Sequence, residues 1–118
     1  MSDDAYERGM RVRREVLGDE HVDGASGRTP VFQDFITRYA WGEIWSRPGL
    51  DRKTRSAVTL TALTALGRFD ELEMHILAAR RNGMTPEEIS EVLLQCAVYC
   101  GVPAANQAFH VLERVLDE

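Results

Sequence analysis

The residues of this sequence that are best equipped for chemistry are a carboxylate, a helical histidine and a set of arginines. Glu43 falls within an apolar stripe when its segment is projected as a helix. A carboxylate buried there must be paired, hydrogen-bonded or protonated, because burying it alone costs several kcal/mol. Two interpretations follow: a structural ion pair with an arginine of a neighbouring helix, or a protonated carboxyl group that serves as an acid or base.

His75 is the second candidate for proton transfer. It lies at the edge of an apolar helical stripe, with Glu71 one turn before it. A carboxylate at this spacing can orient an imidazole and favour its charged form. The alternative is an ordinary border histidine. No clustered ligand spacing accompanies it, so the sequence predicts no metal site.

Arginine supplies nearly all the positive charge of the chain, since thirteen of its 14 basic residues are Arg. Residues 28–68 carry seven basic and three acidic side chains, whereas the remainder is strongly acidic. Arg52 and Arg55 fall in the first turn of a predicted helix, where cations oppose the helix dipole. An anion is therefore expected beside them: Asp51, Glu43 or a small anionic ligand. Solvated helix faces are the alternative.

Length and charge exclude several classes of protein. The 118 residues suffice for one domain, 1–118, and leave no room for a nucleotide-binding fold with a second domain. The formal charge of −5 argues against a nucleic-acid partner. No apolar run is long enough to span a membrane, and the acidic beginning does not resemble a signal peptide. These features predict a cytoplasmic protein without a membrane partner.

Start and stop signals predict six helices and no strand, hence an all-α bundle. The helices are expected at about 4–17, 30–45, 51–66, 69–82, 85–101 and from 103 to the C-terminus, with 18–28 as a connector. Thr29-Pro30 and Thr85-Pro86 are predicted helix starts, and Gly83 is a predicted C-terminal cap. The third helix is apolar or small on nearly every side, which predicts contacts on several sides.

The second predicted helix is aromatic on two faces. One broad apolar stripe is expected to point inward: Phe32, Phe35, Ile36, Tyr39, Ala40 and Ile44. Trp41 and Trp45 fall on the opposite side and are expected to point outward, into a subunit interface or the wall of a shared pocket. Of these two interpretations we favour the interface.

Two cysteines, Cys96 and Cys100, lie four residues apart. This is neither the two-residue spacing of redox dithiols nor a zinc pattern. The sequence predicts reduced, partly buried thiols.

Three long segments resemble the carboxymuconolactone decarboxylase family. They are FITRYAWGEIWSRPGL at 35–50, LDRKTRSAVTLTAL at 50–63, and MHILAARRNGMTPEEISEVLLQCAVYCGVPAANQAF at 74–109. The similarity runs from about Tyr6 to the last helix. It implies a fold of the alkyl hydroperoxidase D type and a homo-oligomer, typically a hexamer.

The wider superfamily includes disulfide-dependent peroxidases, and this chain departs from their motif. Their two cysteine positions fall on Arg68 and Glu71, their glutamate on Ser56, and only the histidine, His75, is retained. Peroxide chemistry needs a thiolate and a resolving thiol. A thiol-dependent peroxidase therefore stays the less favoured alternative, beside a lyase or isomerase acting on a related lactone.

The resemblance implies loss of carbon dioxide from a dianionic lactone, 4-carboxymuconolactone, giving 3-oxoadipate enol-lactone in protocatechuate catabolism. The substrate takes up its own electron pair, so no cofactor is expected. The candidate site residues then receive roles. His75, tuned by Glu71, is the expected proton donor or oxyanion partner, and Glu43 is its rival. The expected substrate-binding residues are Arg52, Arg55, Tyr39 and Trp45.

Overall fold

The structure is a computed structural model, which describes residues 4–25 and 29–117. In it the helices begin and end close to the residues that the sequence predicts. Over those ranges every regular element is a helix and there is no strand, which confirms the all-α prediction. The α-helices are α1 (Ala5–Leu17), α2 (Asp19–Ala25), α3 (Pro30–Ile36), α4 (Arg52–Leu66), α5 (Phe69–Arg81), α6 (Pro86–Tyr99) and α7 (Val102–Leu116). A π-helical stretch, Thr37–Trp45, continues α3 directly and is called the π segment.

Side-chain caps explain several of these boundaries. Asp4 caps α1 by accepting a hydrogen bond from the Glu7 backbone N–H at 2.9 Å. At α6 the Thr85 hydroxyl accepts from the Glu88 N–H at 3.0 Å, and the Glu88 carboxylate accepts from the Thr85 N–H at 2.9 Å. Gly83 follows α5 with a φ of +100°, a conformation that favours glycine. The predicted signals at 83 and 85 are thus confirmed.

The predicted connector at 18–28 is wrong in part, because α2 occupies Asp19–Ala25. Its first turn carries Asp19 and Glu20, whose charges favour a helix N-terminus. The rest of the connector, 26–28, lies outside the described residues. Thr29 precedes α3 as predicted, but its side chain makes no capping hydrogen bond and its φ is +40°.

The chain forms two compact units, which divide after Arg52. The N-terminal unit contains α1, α2, α3 and the π segment. The C-terminal unit begins at Lys53 and contains the rest of α4 with α5, α6 and α7. The assignment of 1–118 to a single domain stays a prediction.

Apolar side chains from all four helices form the core of the C-terminal unit. Its buried members are Leu60, Leu72, Ile76, Ala79, Met84, Ile89, Leu93, Ala108, Val111, Leu112 and Val115. Two buried hydroxyl groups of α4 are hydrogen-bonded: that of Ser56 accepts from the Asn82 amide at 2.8 Å, and that of Thr64 donates to the Leu60 carbonyl at 2.8 Å. Such pairing avoids the cost of burying unbonded polar atoms.

One face of α4 is buried and another is open. Ser56, Leu60 and Thr64, spaced one turn apart, are buried. Val58 and Leu66 are 58% and 70% exposed. The expectation that this helix is contacted on several sides is therefore confirmed only in part, because Ala57 and Leu63 also pack against the core, whereas Val58 and Leu66 meet solvent.

Glycines set the packing of the N-terminal unit, where α1 lies against the π segment. A methyl group added at Gly9 would overlap the Thr37 carbonyl oxygen, and one added at Gly42 would overlap the Ala5 carbonyl oxygen. The backbones of α1 and the π segment thus approach each other at glycines, which carry no side chain to keep them apart. Because this contact selects the face of the π segment that carries Thr37 and Gly42, the same face brings Trp41 into the interior.

The predicted orientation of the aromatic faces is consequently wrong. Trp41 is 6% exposed rather than outward-facing, and Trp45 is half-buried. Phe32, Phe35 and Tyr39, which were expected inside, are each exposed by more than half. The prediction also placed successive residues 100° apart around the helix axis, as in an α-helix. This angle does not apply to the π segment, whose hydrogen bonds join residues five apart.

We predict that Gly9→Ala destabilises the protein by about 3 kcal/mol, the upper end of the range for overpacked sites. The added methyl group would force the α1 backbone away from Thr37. Urea unfolding measures the change. Gly24→Ala is the matched control, because a methyl group there meets nothing within 4 Å and alanine favours α2 by up to about 1 kcal/mol. Equal stability of the two variants would contradict the proposed contact.

Candidate functional site

Glu43 lies at the surface of the N-terminal unit and is paired. Its carboxylate accepts a hydrogen bond from Arg8 Nη2 at 2.7 Å, and its side chain is 58% exposed. Arg8 also donates from Nε to the Gly42 carbonyl at 2.8 Å, so this arginine ties α1 to the π segment. The ion-pair interpretation is confirmed, and burial of Glu43 in an inward stripe is wrong. A catalytic role of Glu43 stays a prediction.

Arg52 has an anionic partner that the sequence did not identify. Its Nη2 donates to Glu15 Oε1 of α1 at 2.7 Å, with both side chains partly exposed. The expected partners were Asp51, Glu43 or a ligand. Glu15 lies two turns beyond Arg8 on α1, so one helix supplies charged partners to both Glu43 and Arg52.

The two aromatic candidates stack on neighbours in the same stretch of chain. The Tyr39 ring lies 5.5 Å from that of Phe35, and both rings are exposed. The Trp45 ring lies 5.1 Å from that of the buried Trp41. The contribution of Tyr39 and Trp45 to a substrate pocket stays a prediction.

The remaining candidates belong to the C-terminal unit. His75 is half-buried on α5, beside the fully buried Leu72 and Ile76, and Glu71 is exposed one turn earlier. This is the border position that the sequence predicts for the histidine. Arg55 is half-buried in the first turn of α4.

The seven candidates are divided between the two units. Those of the N-terminal unit are Tyr39, Glu43, Trp45 and Arg52, and those of the C-terminal unit are Arg55, Glu71 and His75. Within the N-terminal unit each candidate contacts a neighbour outside the predicted set. Sequence reasoning missed Arg8 and Glu15. Their spacing of seven residues on α1 signals a shared face, but their partners follow only from tertiary packing.

An open cleft of about 530 Å³ lies between α4 and α6 of the C-terminal unit. Its lining consists of Ala57, Val58, Thr61, Ala62, Val92, Gln95, Cys96 and Tyr99. None of these side chains is a cation. A dianion bound there would have only neutral hydrogen-bond donors, those of Thr61, Gln95 and Tyr99, to balance its charge.

The two cysteines are free thiols, with Cys96 buried and Cys100 half-buried, which confirms the prediction. Burial raises the pKa of the Cys96 thiol, and hydrogen bonds with Thr61 and Thr64 offset this only in part. A raised pKa disfavours the thiolate, which is the nucleophile that peroxide chemistry requires.

The described residues form neither a metal-binding cluster nor a membrane-spanning helix. Within 4–25 and 29–117, no three His, Cys, Asp or Glu side chains lie close enough together to hold a metal ion. No helix in the same part of the chain is long and apolar enough to cross a membrane.

Comparison with known proteins identifies the family. Residues 30–114 match the model of the carboxymuconolactone decarboxylase family. A 4-carboxymuconolactone decarboxylase of Acinetobacter baylyi is 50% identical over 96% of this chain and 87% of its own length. A nitrosuccinic acid decarboxylase of Metarhizium robertsii is 40% identical over 96% of this chain and 82% of its own length. The chain belongs to the carboxymuconolactone decarboxylase family.

The matched region includes residues from both units. It also contains every candidate site residue and the three segments on which the resemblance rested. The resemblance stated from the sequence is thereby confirmed.

Proposed function

We propose that this protein is a carboxy-lyase that converts 4-carboxymuconolactone to 3-oxoadipate enol-lactone in the catabolism of protocatechuate. The observation that carries the proposal is the 50% identity, over 96% of the chain, with the Acinetobacter enzyme of that name. The similarity extends over nearly the whole chain and is not limited to one shared motif.

The chemistry of the substrate explains how such a small protein can catalyse the reaction. The carboxylate that leaves stands on a ring carbon conjugated through the alkene to the lactone carbonyl. When its C–C bond breaks, the electron pair moves to the carbonyl oxygen, and a furan-like dienolate forms. Protonation at the carbon beside the carbonyl then gives the product. The substrate is its own electron sink, so the protein needs no cofactor for this step.

A second candidate substrate is nitrosuccinate, favoured by the 40% identity with the Metarhizium enzyme. Nitrosuccinate and 4-carboxymuconolactone are both dicarboxylates. In nitrosuccinate the nitro group can accept the electron pair that departing carbon dioxide leaves behind. The shared requirement is a site that holds the retained carboxylate and supplies one proton.

Three tasks remain for the protein: to anchor the retained carboxylate, to stabilise the oxyanion, and to deliver the proton. Fixed donors at an oxyanion contribute about 3–4 kcal/mol each. A positioned proton donor contributes roughly 10²–10⁴-fold to the rate. We assign the proton transfer to His75, oriented by Glu71. Glu43 is the alternative donor.

Arg52 and Arg55 are proposed to bind the carboxylates, and Tyr39 and Trp45 to line the pocket. In support of this assignment, the basic excess of the chain falls within residues 28–68, which contain both arginines. Guanidinium groups also match the planar geometry of carboxylates. Because Glu15 already pairs with Arg52, substrate binding at this arginine would compete with that ion pair.

We further propose a cytoplasmic homo-oligomer, a hexamer by resemblance to the family, with the alkyl hydroperoxidase D type of fold. Large exposed apolar side chains support self-association, including Val98, Tyr99 and Val102, each exposed by two thirds or more. The two free thiols are typical of a reducing compartment.

The test of the proposed function is a direct assay of carbon dioxide release from 4-carboxymuconolactone, with nitrosuccinate assayed in parallel. We expect release from the lactone, and we expect the double variant Cys96→Ala, Cys100→Ala to retain it. The reason is that the proposed step uses no thiolate. Loss of activity in that variant, with an unchanged circular dichroism spectrum, would instead favour the thiol-dependent alternative. Release from nitrosuccinate alone would transfer the assignment to that substrate.

His75→Gln should lower kcat by about 10²–10⁴-fold, because the variant lacks an ionisable proton donor. Binding of a product analogue should change far less, which isothermal calorimetry measures. His110→Gln, at an exposed position on α7, is the matched control and should keep full activity. An unchanged kcat in His75→Gln would remove this residue from the mechanism.

Arg52→Ala should raise KM about tenfold or more with little change in kcat, since charge-assisted hydrogen bonds to a carboxylate are lost. Steady-state kinetics separates the two constants. Glu15→Gln is the control, because it breaks the same ion pair but keeps the arginine, and it should not raise KM. A fall in kcat alone for Arg52→Ala would contradict an anchoring role.

A further inference from the structure

A second cleft, of about 240 Å³, lies within the N-terminal unit, among α1, α2, α3 and the first residue of the π segment. Its lining consists of Tyr6, Met10, Arg13, Arg14, Val22, Pro30, Gln33, Asp34 and Thr37. None of the seven candidate residues of the proposed decarboxylase site belongs to it. The cleft thus requires an explanation of its own.

Arg13 is the unusual member of this cleft, because its charged side chain is only 5% exposed. Nη1 donates to the Thr37 hydroxyl at 3.1 Å, and Nη2 donates to the Gln33 side-chain oxygen at 2.8 Å. Its buried Nε has no hydrogen-bond partner. Both acceptors are neutral, so these contacts satisfy part of the guanidinium without balancing its charge.

The other charged side chains of the cleft are already neutralised. Arg14 pairs with Asp19 and Asp23 at 3.1 and 2.9 Å, and Asp34 pairs with Arg38 at 2.9 Å. No ion pair to Arg13 is formed by any residue that the structure describes. Burial lowers the pKa of Arg13, which reflects the cost of holding an uncompensated cation away from water.

We propose that this cleft binds a small organic carboxylate, whose charge is balanced by Arg13. A guanidinium offers five N–H donors in a planar fork that matches a carboxylate, and only two of its nitrogens are engaged here. Met10, Val22 and Pro30 provide apolar walls for a short hydrocarbon group. Phosphate fits less well, because it has no apolar part and its second charge would face one buried cation with Asp34 nearby.

The proposal is independent of the decarboxylase assignment, since it rests on residues that the assignment does not use. It can therefore fail while the activity is confirmed, or hold while the activity is absent. Butyrate is a suitable probe, and butyramide is its uncharged counterpart of nearly equal shape. Inorganic phosphate tests whether any anion suffices.

The experiment is an NMR titration of the wild-type protein at constant ionic strength, following the side-chain Nε–Hε resonance of Arg13. This resonance is assigned through bonds, so the result does not depend on the folding of a variant. Butyrate should shift it saturably, and butyramide should not. Absence of a saturable shift with butyrate would overturn the proposal, as would an equal response to phosphate.

Variants locate the binding. Arg13→Gln should weaken butyrate binding about tenfold or more, because the charge-assisted contact is lost. Arg11→Gln removes an exposed cation of the same helix that does not line the cleft, and it should bind butyrate as the wild type does. Equal binding by Arg13→Gln, or loss of binding in Arg11→Gln alone, would overturn the assignment to Arg13.

Discussion

The contact between the backbones of α1 and the π segment determines which side chains the N-terminal unit buries and which it exposes. Gly9 and Gly42 allow an approach that any side chain would block, so the buried face of the π segment is chosen by small residues rather than by the most apolar ones. Trp41 is buried as a result, and Phe32, Phe35 and Tyr39 are left at the surface. The hydrophobic periodicity therefore does not decide which face of the π segment is buried. Two helices can bury apolar side chains between them only on faces where their backbones can come close enough.

The same approach organises the charges of this unit. With α1 held against the π segment, Arg8 reaches both the Gly42 carbonyl and Glu43. Glu15, on the same helix, reaches Arg52. Arg13 lies on the buried side of α1 instead and meets only neutral acceptors. Surface ion pairs of this kind contribute little to stability, about 0–1 kcal/mol each. Their importance is that they determine which cations remain available to an anion.

Local signals in the sequence predicted the helix boundaries well, but they did not predict which helix faces pack against each other. The capping box at Thr85 and the glycine at 83 follow from interactions within a few residues, so their positions were predictable. Short α2 was missed because its acidic first turn is a weak signal beside the glycines that flank it. The outward placement of Trp41 failed because a 100° projection describes neither the π segment nor the preference of glycine contacts over aromatic burial. His75 was correctly placed at a border, since Leu72 and Ile76 fix the phase of α5.

The proposed reaction explains why the candidate site leaves so faint a pattern in the sequence. A substrate that accepts its own electron pair asks for anchoring, oxyanion stabilisation and one proton, and each can be met by common side chains at varied spacing. A metal or nucleotide would impose a ligand geometry and hence a recognisable motif. The names of the two relatives illustrate the point, because a lactone and a nitro compound are quite different molecules, and their decarboxylases are each at least 40% identical to this chain. What such substrates have in common is a retained carboxylate, together with a departing carboxylate whose electron pair can pass to an electron-accepting group of the substrate. Specificity in this family should therefore depend on how cations are positioned and neutralised, rather than on the identity of a single catalytic residue.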